Sequence, residues 1–204
     1  MLIGHSERRH LCHETNHEVR QKVEAALSVG LTPVICVGET EKEKQADQTE
    51  EVVEAQVRSA FHGIVWPEGR ELIIAYEPVW AIGTGKSASP ETVQNTHAYL
   101  RNFLSQIADP FQAESIPLLY GGSVNSDNIS SLLSMPDING ALIGGASLKP
   151  ESFDLTARYS GKILPAWRIS QTGGRSTFSF LATRSSKSFL IIRRKITFVN
   201  PNFR

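Results

Sequence analysis

Leu72-Ile73-Ile74-Ala75-Tyr76-Glu77-Pro78-Val79-Trp80-Ala81-Ile82-Gly83-Thr84-Gly85-Lys86 is the stretch whose reading decides the fold. Its first five residues are apolar without alternation, as in a strand buried on both faces. The strand ends in one carboxylate, Glu77. Pro78 then opens a long loop, and Gly83 and Gly85 punctuate its far end. A lone acid at the C-terminal end of a strand, ahead of a hinged loop, suits a proton-transfer site that closes against water.

The same kind of strand recurs outward from this segment. Thr32–Val37, Ile116–Tyr120 and Ala141–Ile143 are largely apolar runs, and Leu2-Ile3 reads as the tail of another. Helical stripes lie between them. Val19, Val23, Ala26 and Leu27 share a face that stops at Gly30. Val53, Val57, Ala60 and Phe61 form a second stripe, with Thr49 as candidate cap. Ser89-Pro90-Glu91 starts a third, buried through Val93, Leu100, Phe103, Leu104 and Ile107. Asn125 or Ser126 is expected to cap a short helix through Ile129, Leu132 and Leu133. Pro150 is expected to open a last one toward Tyr159. Five strand–helix alternations imply an α/β fold with a parallel sheet and right-handed crossovers. Periodicity leaves open whether that sheet is doubly wound or a closed barrel.

The 204 residues suit one domain or two small ones, and the formal net charge is zero. The charge is unevenly placed: residues 161–204 hold nine Lys/Arg and no acid. In that tail, Phe189-Leu190-Ile191-Ile192 and Ile196-Thr197-Phe198-Val199 flank Arg193-Arg194-Lys195. Basic and aromatic residues together admit a nucleic-acid or membrane-surface patch. Composition alone is weak support for a partner, so the favoured reading is a segment foreign to the fold. The expected division is therefore 1–160 as the folded domain and 161–204 as a poorly ordered basic tail. Cys12 and Cys36 make no disulfide framework, which points to a reducing compartment. No apolar run approaches the ~20 residues of a membrane span.

Three further segments carry chemistry. Gly4-His5-Ser6-Glu7-Arg8-Arg9 follows Leu2-Ile3. Leu119-Tyr120-Gly121-Gly122-Ser123 and Gly140-Ala141-Leu142-Ile143-Gly144-Gly145 each end a strand in glycines. With the Glu77 loop, these four motifs resemble triosephosphate isomerase, in that family's order, over residues 1 to about 160. The resemblance implies an eight-stranded (β/α) barrel, of which this chain supplies the last five β/α units. It implies interconversion of dihydroxyacetone phosphate and glyceraldehyde 3-phosphate, in glycolysis and gluconeogenesis, through an enediol(ate). Glu77 would be the base. His5 would polarise the carbonyl as a neutral imidazole, the state known for this family. Ser6 and Glu7 would stand beside it, Glu7 as a third catalytic residue. Gly83, Ser123, Gly144 and Gly145 would grip the phosphate. No cofactor and no metal are implied. The family is a homodimer, and its expected location is the cytoplasm, with a plastid as the other possibility. Neither nucleic acid nor membrane is an expected partner.

The family's first strand supplies an Asn and a Lys that have no counterpart in these residues. The competing expectation is a fragment without catalysis, a remnant that binds phosphate only. Rival motifs are weaker. Gly83-Thr84-Gly85-Lys86-Ser87-Ala88 fits G-x-G-x-x-A, but Pro78–Ile82 separate it from its strand and no acid follows ~20 residues on. Trp80 stands where a P-loop needs its first glycine. His10, Cys12, His13 and His17 lack the second cluster of a closed zinc site. Glu39-Thr40-Glu41-Lys42-Glu43-Lys44 reads as a solvated loop of mixed charge.

Overall fold

The apolar runs become strands: β1 is Leu2–Ile3, β2 Val34–Val37, β3 Ile73–Tyr76, β4 Leu118–Tyr120 and β5 Gly140–Ile143. The computed structural model describes residues 1–64, 71–82, 87–148, 182–183 and 189–193. The five strands pair in parallel in sequence order. A doubly wound sheet reverses its order at a switch point. The unbroken order removes that alternative.

Each strand residue of β2 to β5 is buried, on both faces of the sheet. Val34, Cys36, Ile73, Ala75, Leu119 and Leu142 form a cluster on one face. Ile35, Val37, Ile74, Tyr76, Leu118, Tyr120, Ala141 and Ile143 join the other, packed with the helices. That is why the runs show no polar alternation.

The helices follow from their caps and stripes. α1 is Ser6–Leu11 and α2 is Asn16–Ser28, which starts with a reciprocal capping box between Thr15 and Glu18. α4, Thr49–Phe61, buries Val53, Val57 and Ala60. α5, Pro90–Ile107, starts as expected: Ser89 Oγ accepts from Thr92 N at 3.2 Å. Two caps differ from expectation. Gln48, not Thr49, is the residue before α4, and Thr49 lies inside the helix. The short α7, Ile129–Leu133, follows Asn128, while Asn125 Oδ1 accepts from Asp127 N and Asn128 N in the preceding turn. α6, Pro110–Ser115, had no stripe long enough to read.

The expected loop at 39–44 is also corrected. Glu41–Gln45 form a short helix, α3, with a second capping box between Thr40 and Glu43. Glu39 before it is fully buried.

Pro150 and the helix it was expected to open lie outside the described residues. So does most of 161–204, including the boundary near 160. The described part of that tail adds two strands, β6 (Ala182–Thr183) and β7 (Phe189–Arg193). β7 runs antiparallel along β5, from Gly140↔Arg193 to Ile143↔Leu190, and β6 pairs with β7. Among the described residues, no helix is long and apolar enough to cross a membrane.

His13 takes φ 54°, a left-handed conformation, between α1 and α2. An L residue pays roughly 1–2 kcal/mol there that glycine avoids. Glycine's greater unfolded-state entropy returns part of this. His13→Gly is therefore expected to raise stability by about 0.5–1 kcal/mol. A thermal midpoint that stays level or falls would contradict it.

Candidate functional site

In a parallel sheet every strand's C-terminal end lies on one rim. Five residues meet that rim: His5 beyond β1, Gly38 beyond β2, Glu77 beyond β3, Gly121 beyond β4 and Gly144 beyond β5. The register aligns Val37 with Tyr76 and Tyr76 with Tyr120. The next row is therefore Gly38, Glu77, Gly121. The ladder continues into it: Glu77 N donates to Val37 O at 2.7 Å and Gly121 N to Tyr76 O at 2.7 Å.

This row has space for one side chain. A Cβ on Gly38 would lie 1.8 Å from the Glu77 carbonyl oxygen. A Cβ on Gly121 would lie 2.8 Å from Glu77 Cγ. Both glycines are flanking requirements of the acid, which the sequence alone did not reveal.

The Glu77 carboxylate is held from two sides. Its Oε2 accepts from the Ser6 amide at 2.9 Å, and its Oε1 meets His5 Nε2 at 3.1 Å. His5 Nδ1 accepts from Glu7 N at 3.3 Å, which caps α1. A nitrogen that accepts holds a lone pair, so the proton of a neutral ring sits on Nε2. His5 therefore donates to Glu77 in this arrangement. Glu7 contributes that backbone amide from the first turn of α1.

Glu77 is 2% exposed. Burial pushes its carboxyl up to about 7, against the Ser6 amide, the Cys36 thiol and the Arg9 charge, which favour ionisation. Arg9 is fixed under the rim by Gly4 O at 2.8 Å, Asn16 Oδ1 at 2.6 Å and Cys36 O at 3.2 Å. The Cys36 thiol is pushed up by its own burial and then by the Glu77 charge.

The loop after Glu77 is anchored at its near end. Val79–Ala81 make a 3₁₀ turn. Val79 N donates to Glu39 O at 3.0 Å. The buried Glu39 carboxylate takes Trp80 Nε1 at 2.8 Å and the Tyr76 hydroxyl at 3.1 Å. Ser123 Oγ, expected at a phosphate, donates to Ala81 O at 2.7 Å. Gly83 lies outside the described residues. Gly144 O accepts from Ser147 N and Oγ at 2.9 and 2.7 Å, and Gly145 begins a 3₁₀ turn to Leu148. A Cβ on Gly145 would meet nothing within 4 Å, so the chain's own packing does not demand glycine there.

His10 lies in the last turn of α1, His13 in the bend after it, and His17 in the first turn of α2. Among the described residues, no three metal-ligating side chains group together. Sequence reading brought His5 and Glu77 to one rim and set Ser6 beside His5, but gave no place beside Glu77 to Arg9, Cys36, Gly38, Glu39 or Gly121. The place of Glu39 at the rim had a usable signal, since it follows an apolar strand and a glycine much as Glu77 follows its own strand, but its burial had none.

A buried carboxyl that titrates near neutrality can take a proton from a carbon acid. A neutral ring N–H within reach can polarise the adjoining carbonyl. The family model described as triosephosphate isomerase matches residues 1–159. A triosephosphate isomerase of Trichlorobacter lovleyi is 48% identical over 161 residues, which cover 79% of this chain and 64% of that protein. Those of Pelobacter propionicus and Colwellia psychrerythraea are 50% and 49% identical, with 64% and 60% of their lengths covered. The chain thus spans a little under two thirds of the curated relatives it matches.

Proposed function

Because the chain belongs to the triosephosphate isomerase family, we propose that its rim interconverts dihydroxyacetone phosphate and glyceraldehyde 3-phosphate. Glu77 removes a proton from the carbon beside the carbonyl and returns it to the neighbouring carbon. His5 polarises the carbonyl and steadies the enediol(ate) through Nε2. The carrying observation is the 3.1 Å contact between two groups of complementary task, one titrating near 7 and one neutral by its hydrogen bonding. Ser123, Gly144, Gly145 and Gly83 hold the phosphate, with the open approach over Gly145 in support.

The five parallel units are proposed as the last five of a (β/α)8 barrel, whose sites lie at this same rim. Glu7 is proposed to serve the site through His5, whose ring its amide orients. A homodimer and a cytoplasmic place in glycolysis and gluconeogenesis are proposed with the family. A monomer by sedimentation would remove the dimer.

The competing reading is an inactive fragment that only binds phosphate. It is separated by solvent-deuterium incorporation into dihydroxyacetone phosphate, followed by proton NMR. The isomerase reading expects exchange at the carbon beside the carbonyl well above that of an equal concentration of acetate. Exchange no faster than acetate, with retained inorganic phosphate binding, would leave the phosphate-binding reading.

A further inference from the structure

We propose that Gln56 of α4 is a positioning residue, which holds the end of β2 as the platform for Glu77 and for the root of its loop. The inference rests on the isomerase reading of the rim. One amide answers both backbone groups of one residue: Gln56 Oε1 accepts from Gly38 N at 2.8 Å and Nε2 donates to Gly38 O at 3.2 Å. Gly38 is the residue that cannot carry a Cβ, because the Glu77 carbonyl occupies that space. A glycine at a strand end has the greatest backbone freedom of any residue. Its neighbours are the ones that matter. Val37 O takes the Glu77 amide, Glu39 O takes the Val79 amide, and Glu39 Oε1 takes the Trp80 indole.

The base and its loop are thus tied to residues 37–39, and the middle of that segment is fixed by Gln56. The clamp is itself anchored in the core, since Val53 and Val57 on either side of it in α4 are fully buried. A hydrogen-bonded amide set on a rigid helix is how a supporting shell keeps a reacting group in place.

The test compares Gln56→Met, which keeps the length and removes both bonds, with Val57→Ala, which loosens the same helix without touching Gly38. Two readouts need no turnover: the Glu77 carboxyl titration by carbon-13 NMR, and hydrogen exchange of the Trp80 indole. For Gln56→Met the titration is expected to move down by about one unit or more as water reaches the carboxylate, and indole exchange to accelerate at least tenfold. Deuterium incorporation should fall about tenfold, mostly in kcat rather than KM. Val57→Ala should lower the thermal midpoint and leave both readouts in place. Unmoved readouts in a folded Gln56→Met protein, or equal shifts in Val57→Ala, overturn the proposal. If Gln56→Met does not fold, Gln56→Asn, which withdraws the amide by one methylene, is judged by the same criteria. Shifts in both readouts without any turnover in the parent chain would keep the positioning role and refute the isomerase reading instead.

Discussion

Glu77→Gln is expected to lower deuterium incorporation by at least ~10²-fold, the lower end of what a positioned general base contributes. Gln preserves the shape and an acceptor for the Ser6 amide but removes the basic oxygen. A rate within a few-fold of the parent would show that Glu77 is not the base. The same variant is expected to be more stable at alkaline pH. Glu77 goes from an ordinary 4.5 to about 7 on folding. The folded state therefore holds this proton more tightly, and stability falls as pH rises from 4.5 through 7. The loss comes to about 3 kcal/mol above that range, and Gln avoids it.

His97 acts with the opposite sign. It is fully buried, and burial lowers it from 6.5 to about 4 against the favourable Asp137 carbonyl. The unfolded chain then binds the extra proton, so stability falls as pH drops from 6.5 through 4. Between about 4.5 and 6.5 the two slopes oppose each other in the parent. In Glu77→Gln only the His97 slope remains, so denaturant midpoints should rise with pH across that window. A flat profile in the variant would contradict this pair of assignments.

Gly38→Ala is the second large effect. The added Cβ would stand 1.8 Å from the Glu77 carbonyl oxygen and 2.5 Å from its carbon. These are main-chain atoms of a paired strand, and they cannot swing away as a long side chain does. Relief requires β2 and β3 to part at the rim, which breaks the Glu77 N to Val37 O bond. A loss of about 3 kcal/mol or more is expected, together with most of the deuterium incorporation, because Glu77 itself moves. Gly145→Ala is the contrast, since its Cβ meets nothing within 4 Å. Its stability should stay within about 0.5 kcal/mol of the parent. Equal melting of the two variants would mean that crowding at the row does not govern Gly38.

Strands β2 to β5 were legible because burial on both faces removes polar alternation, and their apolar runs stand out between helical stripes. Ser89-Pro90-Glu91 was legible because capping is local chemistry. Thr40 and Glu43 carry an equally local signal, yet their charged surroundings read as loop. Burial of Glu39 was not legible, because its partners Tyr76 and Trp80 stand 37 and 41 residues away. Gly121 reads as part of a glycine-ended strand motif, and Gly38 carries no signal of its own. Only strand register shows that they flank the acid. The pairing of β7 with β5 was hidden too, since register between distant segments is not written in either one alone.

His5 belongs to two structures at once. Its Nε2 serves the rim, while its Nδ1 closes the first turn of α1 by receiving the Glu7 amide. Moving the ring proton to Nδ1 would turn that acceptor into a second donor facing an N–H. The other tautomer therefore uncaps the helix, at about 1 kcal/mol. The two nitrogens thus hold the imidazole to one tautomer, with its Nε2 proton aimed at the Glu77 carboxylate.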